Sequence, residues 1–169
     1  TRADYNLDLL CDCIKRMQDR YGVEVILEPG EAIALGTGYL VASVVDVFSD
    51  AEPRQVILDT SATAHMPDVL EVPYRPDVIG AGAPGEHPHT YRFGGKTCMT
   101  GDIIGEYSFP AALTVGSRVV FTDMMQYSFV KNNTFNGTPL PDLAVLEKDG
   151  TYTIVRKFGY EDFARRVGA

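Results

Sequence analysis

The 169 residues carry a formal net charge of −8, with 45% hydrophobic and 22% charged residues, a composition that suits one soluble globular domain with a sizeable core. The acidic balance argues against nucleic acid or an anionic membrane surface as a partner and suits a cationic small molecule, although most acidic surfaces are simply solubilising. No apolar run has the length of a membrane span and no charged-then-apolar leader is read. The cysteines Cys11, Cys13 and Cys98 are odd in number without framework spacing, so reduced thiols in a cytoplasmic protein are expected.

Residues 4–21, DYNLDLLCDCIKRMQDRY, place Leu7, Leu10, Cys11, Ile14, Met17 and Tyr21 at helical spacing, with Asp4 in the capping region and Gly22 as the stop. VEVIL follows, short and nearly continuous in its hydrophobicity, the pattern of a strand buried on both faces of a parallel sheet. It ends abruptly in Glu28-Pro29-Gly30-Glu31. Beyond that the texture changes. IALGTGYLVASVVDVF, RQVILDT, HTYRFGG, SRVVFTD and DLAVLEKDGTYTIVRKF are strand-like runs between Gly, Pro and Asp punctuation, and Asp149-Gly150 predicts a hairpin turn. Short helices are expected over 66–71, 125–132 and 160–167, and GAGAPGEHPH (80–89) reads as a flexible loop. The pattern predicts a mainly β protein, with an antiparallel β-barrel or sandwich over 33–169. A single α-then-β unit cannot form a parallel sheet alone. Residues 1–32 therefore read as the last helix–strand piece of something larger, and the chain, which opens on Thr1, as a fragment.

Several residues can carry chemistry. Glu28 sits at the carboxyl end of the expected strand, where sites lie in parallel α/β barrels. Pro29 ends the ladder there, and Gly30 lets backbone approach a ligand closely. A turn with two solvated acids fits the same residues. In GGKTCMTGD (94–102), Cys98 and Asp102 share a glycine-rich loop with Lys96, which can lower a thiol pKa and give an acid or nucleophile; an inert cysteine is the alternative. His65, His87 and His89 read as ordinary histidines. His87-Pro88-His89 with Cys98 lacks the second ligand pair a zinc site needs, so no metal is expected. Tyr127, Phe129 and Phe135 in MQYSFVKNNTFNG have spacing that usually means core.

Taken in order, Glu-Pro-Gly after a strand, Cys and Asp in a glycine-rich loop, and Tyr followed by NTFNG resemble the pyridoxal-phosphate decarboxylases of the alanine-racemase fold. TRADYNLDLLCDCIKRMQDRYGVEVILEPGEA, LDTSATAHMPDVLEVPYRP and CMTGDIIGEYSF resemble the carboxynorspermidine/carboxyspermidine branch of that family, over its C-terminal part only. The resemblance implies a pyridoxal-phosphate cofactor, a polyamine-precursor substrate and a homodimer with shared active sites. It also implies that residues 1–32 finish a (β/α)8 barrel whose cofactor lysine lies upstream. Lys15, Lys96, Lys131, Lys148 and Lys157 are none of them placed to be that lysine, so the chain alone is expected to be inactive.

Carried over by the resemblance, Glu28 holds the pyridine nitrogen, Gly30 belongs to the phosphate-binding segment and Tyr127 contacts the phosphate. Cys98 is the cysteine supplied to the neighbouring subunit's site, Asp102 is the acid beside it and Asp59 reads the distal amine. Ornithine decarboxylases have Arg where Glu31 stands and Asp directly after the cysteine. Glu31 and the Cys98-to-Asp102 spacing therefore favour a substrate with extra positive charge, read by Glu31, Asp59 and Asp102. The competing readings are a diaminopimelate- or ornithine-type decarboxylase, a non-catalytic binding homologue of the same fold, and an independent β-barrel binding module.

Overall fold

The computed structural model describes residues 5–169. Helix α1 (Leu7–Tyr21) forms as the spacing predicts. Asn6 caps it, its Oδ1 accepting from the Leu9 amide at 3.0 Å; the expected cap Asp4 lies outside the described residues. Gly22 ends the helix in the left-handed conformation (φ 62°), donating its N–H to the Gln18 carbonyl. That is the conformation in which a Cβ is most costly. None of the helix residues is buried.

The expected strand at VEVIL does not form. Residues 22–29 make no ladder, and Ile26 and Leu27 are exposed. A strand patterned for burial on two faces needs neighbours on both sides, and the described residues provide none. The run that was expected to start a strand at Ile33 begins instead with a helical turn, α2 (Glu31–Ala34), and the strand starts only at Tyr39.

The core is a five-stranded sheet in the order β4-β3-β2-β1-β5, from β1 (Tyr39–Phe48), β2 (Arg54–Leu58), β3 (His89–Gly94), β4 (Ile103–Phe109) and β5 (Arg118–Thr122). Strand β4, IIGEYSF, was not among the expected strands; Gly105 and Glu106 interrupt its hydrophobic pattern. The pairing is antiparallel except for β2 with β3, which run parallel. Parallel neighbours need a long crossover. Residues 59–88 supply it, and they contain α3 (Ala62–His65) and α4 (Asp68–Glu71).

The crossover also joins the sheet edges. Ile79 N–H donates to Val120 O and Thr122 N–H to Asp77 O on β5, while Gly82 and Ser108 exchange both backbone bonds on β4. Residues 77–82 thus link the two edge strands, and the curled sheet closes on itself as a barrel rather than stacking as a sandwich. Closure removes the exposed edges that an open sheet leaves available for aggregation.

Inward positions alternate as the pleat requires: Leu40, Ala42 and Val44 on β1, Val56 and Leu58 on β2, Tyr91 and Phe93 on β3, Val119 and Phe121 on β5 are all buried. The Phe93 ring stacks on Tyr107 with centroids 4.9 Å apart and meets Phe121 edge-on at 6.4 Å, although β3 and β5 are not sheet neighbours. Only a curled sheet brings them together.

The 80–89 segment, expected to be flexible, is pinned. Ser108 Oγ donates to Ala83 O and accepts from the His87 N–H, and Glu86 Oε2 accepts from the Ala83 N–H. The hairpin of β6 (Leu143–Leu146) and β7 (Tyr152–Arg156) turns at Asp149-Gly150 as predicted, with Asp149 Oδ1 accepting from the Thr151 N–H and Oγ1. Helix α6 (Tyr160–Val167) ends the chain.

Candidate functional site

Two groups of residues form on one continuous framework. The first is built around Asp102. Strand β2 ends at Leu58 and leads through Asp59, Thr60 and Ser61 into α3. Strand β3 ends at Gly94 and leads into the loop bearing Cys98, which returns at Asp102 to start β4. Asp102 is buried, 6% exposed, and five donors converge on its carboxylate. Oδ1 accepts from the Ala62 N–H at 2.7 Å and the Thr63 N–H at 3.3 Å; Oδ2 accepts from Ser61 Oγ at 2.9 Å, Thr97 N–H at 3.1 Å and Thr97 Oγ1 at 2.5 Å. A buried carboxylate without a cation survives only with such a set of donors.

Cys98 lies exposed at the tip of this loop, with its backbone N–H donating to Asn136 Oδ1 at 3.2 Å. Asn136 holds a left-handed conformation (φ 59°) that Asn adopts more readily than most residues. The segment carrying it is tied to α3, since the Asn133 N–H donates to Ala64 O and Asn133 Nδ2 to Thr63 O. Asp59 is exposed; its Oδ1 accepts from the Ser43 N–H at 2.7 Å. Beneath it His65 is 6% exposed, with Nδ1 against Thr60 Oγ1 at 2.8 Å and Nε2 against Pro139 O at 3.0 Å. A carbonyl only accepts, so Nε2 carries the proton and Nδ1 accepts from Thr60. Burial lowers the His65 pKa, and nearby Lys96 lowers it further, against the Pro139 bond and the charges of Asp102 and Asp59. Its ring nitrogens are thus both in use within the fold.

The second group lines a cleft of about 540 Å³ that contains both Glu31 and Tyr127. Glu31 opens α2, and the segment that follows it is fastened just beyond β5 by the Gly36 N–H donating to Asp123 Oδ1 at 2.5 Å. Tyr127 opens α5 (Tyr127–Val130) and is 62% exposed, with Lys131 Nζ 4.9 Å from its ring centroid. Lys131 also bonds Glu71, which raises its pKa. Tyr74 and Ser128 donate to Asp68 Oδ2 at 2.6 and 3.0 Å, while Asp68 Oδ1 is buried and accepts no hydrogen bond among the described residues. Burial, reinforced by Asp68, pushes the Tyr74 hydroxyl up to about 12.

Acids dominate this cleft. Glu31, Asp68, Glu71, Asp77 and Asp123 stand against Arg75 and Lys131. Residues 131–136 run from the cleft to Cys98, so one stretch connects the two groups. Tyr127 and Phe135 are exposed and Phe129 half-buried, so the expectation of core aromatics does not hold.

Glu28 and Gly30 lie in the exposed link between α1 and α2, in neither group. Sequence reasoning missed Asp68, Tyr74, Lys131 and Asn136. Asn-Gly at 136–137 was the one local signal, since that pair favours left-handed backbone.

Pyridoxal phosphate asks its protein for an anion at the ring nitrogen, donors at the phosphate and room for a flat ring. The residue types suit those demands one by one, although Glu28 and Gly30 do not line the acidic cleft that holds Tyr127. Glu28 carries an exposed carboxylate, Tyr127 an exposed hydroxyl at a cleft of suitable volume, and a Cβ on Gly30 would meet nothing within 4 Å, so its backbone is open to approach.

The curled five-stranded sheet with its crossover is the architecture of a pyridoxal-dependent decarboxylase sheet domain. Residues 9–125 match the family model described as pyridoxal-dependent decarboxylase, C-terminal sheet domain, and the chain belongs to that family. It is 43% identical over 169 residues to the carboxyaminopropylagmatine decarboxylase of Synechocystis sp., covering 99% of this chain and 44% of that protein. It is 41% identical to the carboxynorspermidine/carboxyspermidine decarboxylase of Campylobacter jejuni, covering 98% of this chain and 46% of the relative. The crystal structure of carboxynorspermidine decarboxylase from Campylobacter jejuni, complexed with norspermidine, superposes with a TM-score of 0.87 at 41% identity over 98% of this chain and 48% of that one. The chain thus spans less than half the length of these relatives.

Proposed function

We propose that this chain serves as the C-terminal part of a cytoplasmic, homodimeric pyridoxal-phosphate decarboxylase acting on a carboxylated polyamine, carboxynorspermidine or carboxyspermidine. The observation that carries the reading is identity near 40% along nearly the whole chain to enzymes of that name. The excess of acids lining the cleft agrees with it. Pyridoxal phosphate supplies, when bound, a sink for the electron pair left as carbon dioxide departs from the α-carbon. Glu28 holds a proton at the ring nitrogen, and the Tyr127 hydroxyl and the backbone at Gly30 hold the phosphate. Glu31 and Asp59 bind the amines of the substrate arm, where charge-assisted hydrogen bonds add both affinity and selectivity. Cys98, reaching the neighbouring subunit's site, directs a proton to the α-carbon.

A second reading within the same chemistry is favoured by the 43% identity to the Synechocystis enzyme, whose name specifies carboxyaminopropylagmatine; the arm would then end in a guanidinium, whose planar fork a carboxylate binds bidentately. The test is carbon dioxide release by the full-length protein from each of these substrates, with diaminopimelate and ornithine as competitors. One carboxylated polyamine should prevail by at least about a hundredfold in kcat/KM, the discrimination a lost buried charge pair brings. Equal or better turnover of ornithine or diaminopimelate overturns the assignment. Glu28→Gln should lower kcat by about 10²-fold, the usual effect of deleting one preorganised electrostatic partner.

A further inference from the structure

Sequence reasoning placed Asp102 among the acids that read substrate amines. The geometry points to another role: we propose that Asp102 is a positioning residue, the buried clip that fixes the Cys98 loop to α3. The inference rests on the reading of Cys98 given above.

The carboxylate is already engaged by five donors from two stretches of the chain. Ser61, Ala62 and Thr63 come from the start of α3, and Thr97 binds twice from the residue beside Cys98. A substrate ammonium could reach it only by displacing these. With 6% exposure, it also lacks the path to solvent that such a cation needs.

The other contacts make the loop a closed unit. Gly95 N–H donates to Asp102 O, Asp102 N–H to Met99 O, and Lys96 N–H to Thr60 O. The carboxylate itself lies against Gly95, where a Cβ would stand 2.3 Å from Oδ2. Cys98 lies exposed between these contacts, and the clip together with the bond from its N–H to Asn136 Oδ1 restrains its backbone. Asp102 thus acts on the thiol through Thr97, the residue next to Cys98, and touches no reacting atom.

The two roles part in a substitution that leaves the acid in place. Thr97→Val deletes the Oγ1 donor, keeps the branched shape and leaves Asp102 ionised and otherwise bonded. It is compared with Asp102→Asn in the full-length, cofactor-loaded protein, by steady-state kinetics with carboxynorspermidine and by mass-spectrometric rates of iodoacetamide labelling. If Asp102 positions Cys98, Thr97→Val lowers kcat about tenfold, the equivalent of one hydrogen bond to a charged group. KM then stays within about threefold, and Cys98 labels about tenfold faster relative to Cys11 and Cys13. Asp102→Asn gives the same pattern with a larger kcat loss.

If Asp102 reads an amine, Thr97→Val is silent in all three readouts and Asp102→Asn raises KM at least tenfold; that result overturns the proposal. An unchanged Cys98 labelling ratio in Thr97→Val overturns it as well. Labelling needs no turnover, so a parent protein that fails to decarboxylate any polyamine counts against the proposed function and leaves this test standing. Should Asp102→Asn not fold, Ser61→Ala takes its place, deleting a second donor while keeping the carboxylate, and the same split between kcat and KM decides.

Discussion

Replacing Gly95 with alanine should damage the protein far more than its surface position suggests. The new Cβ would stand 2.3 Å from Asp102 Oδ2 and 2.6 Å from both Cγ and Oδ1. Ordinary contact needs more than a further ångström. A flexible neighbour would simply swing away, but Asp102 is held by five donors at 2.5–3.3 Å. Moving it an ångström breaks at least one of these bonds and stretches another. Gly95 cannot easily retreat either, because its N–H is committed to Asp102 O at 2.8 Å. Hydrogen bonds to a charged group contribute about 1.5–3 kcal/mol each, so the expected loss is about 2–4 kcal/mol. Gly30→Ala is the control: nothing lies within 4 Å of its Cβ, so it adds no clash, and with φ −92° and ψ −85° only a backbone preference of about 1 kcal/mol or less is at stake. Urea unfolding followed by tyrosine fluorescence gives both values from the midpoint and slope. A loss below about 0.5 kcal/mol for Gly95→Ala, or equal losses for the two variants, would refute the account of Asp102 as a rigid, saturated acid.

Two further outcomes follow from the core. Phe93 is fully buried and touches Tyr107, Phe109 and Phe121, so Phe93→Ala should cost about 3–5 kcal/mol in the same unfolding experiment. Burial holds the folded His65 pKa below the ordinary histidine value of 6.5, so the unfolded chain binds a proton more readily than the folded one. Stability contributed by neutral His65 is complete above about pH 6.5 and falls as pH drops from there toward the lowered folded value, by at most about 1.4 kcal/mol per pH unit for one proton; unfolding midpoints between pH 7 and 5 in the parent and His65→Gln should show a shallower slope in the variant.

The parts of the fold that depend on local pattern were legible. Alternation gave β1, β2, β3 and β5, helical spacing gave α1, and Asp149-Gly150 gave the last hairpin. Strand β4 escaped because Gly105 and Glu106 break its alternation. A Cβ at Gly105 would fall 2.9 Å from Arg75 Cγ, so the break makes room for a side chain from the crossover, a reason that lies thirty residues away. The strand expected at residues 23–27 failed for a complementary reason: its hydrophobicity is real, but a ladder is made by neighbours, and the described residues offer none. The loop 80–89 looked mobile because it is rich in Gly and Pro; it is held by Ser108, whose partners across the barrel cannot be read from composition.

The acids carry the same lesson further into function. By residue type and spacing, Asp59, Asp68 and Asp102 are interchangeable candidates for binding a cation. What separates them is how many donors the fold has already spent on each. Asp102 has five and is closed. Asp59 has one side-chain bond, at Oδ1, and faces solvent. Asp68 has its two donors on Oδ2, and among the described residues its buried Oδ1 accepts no bond, at the cleft that holds Glu31 and Tyr127. An acid can read an amine only with lone pairs still uncommitted, because displacing an existing charge-assisted bond returns much of what the new one contributes. The polyamine arm should therefore be sought first against Asp59, and the loop acid beside Cys98 should be sought in the rate of the chemical step.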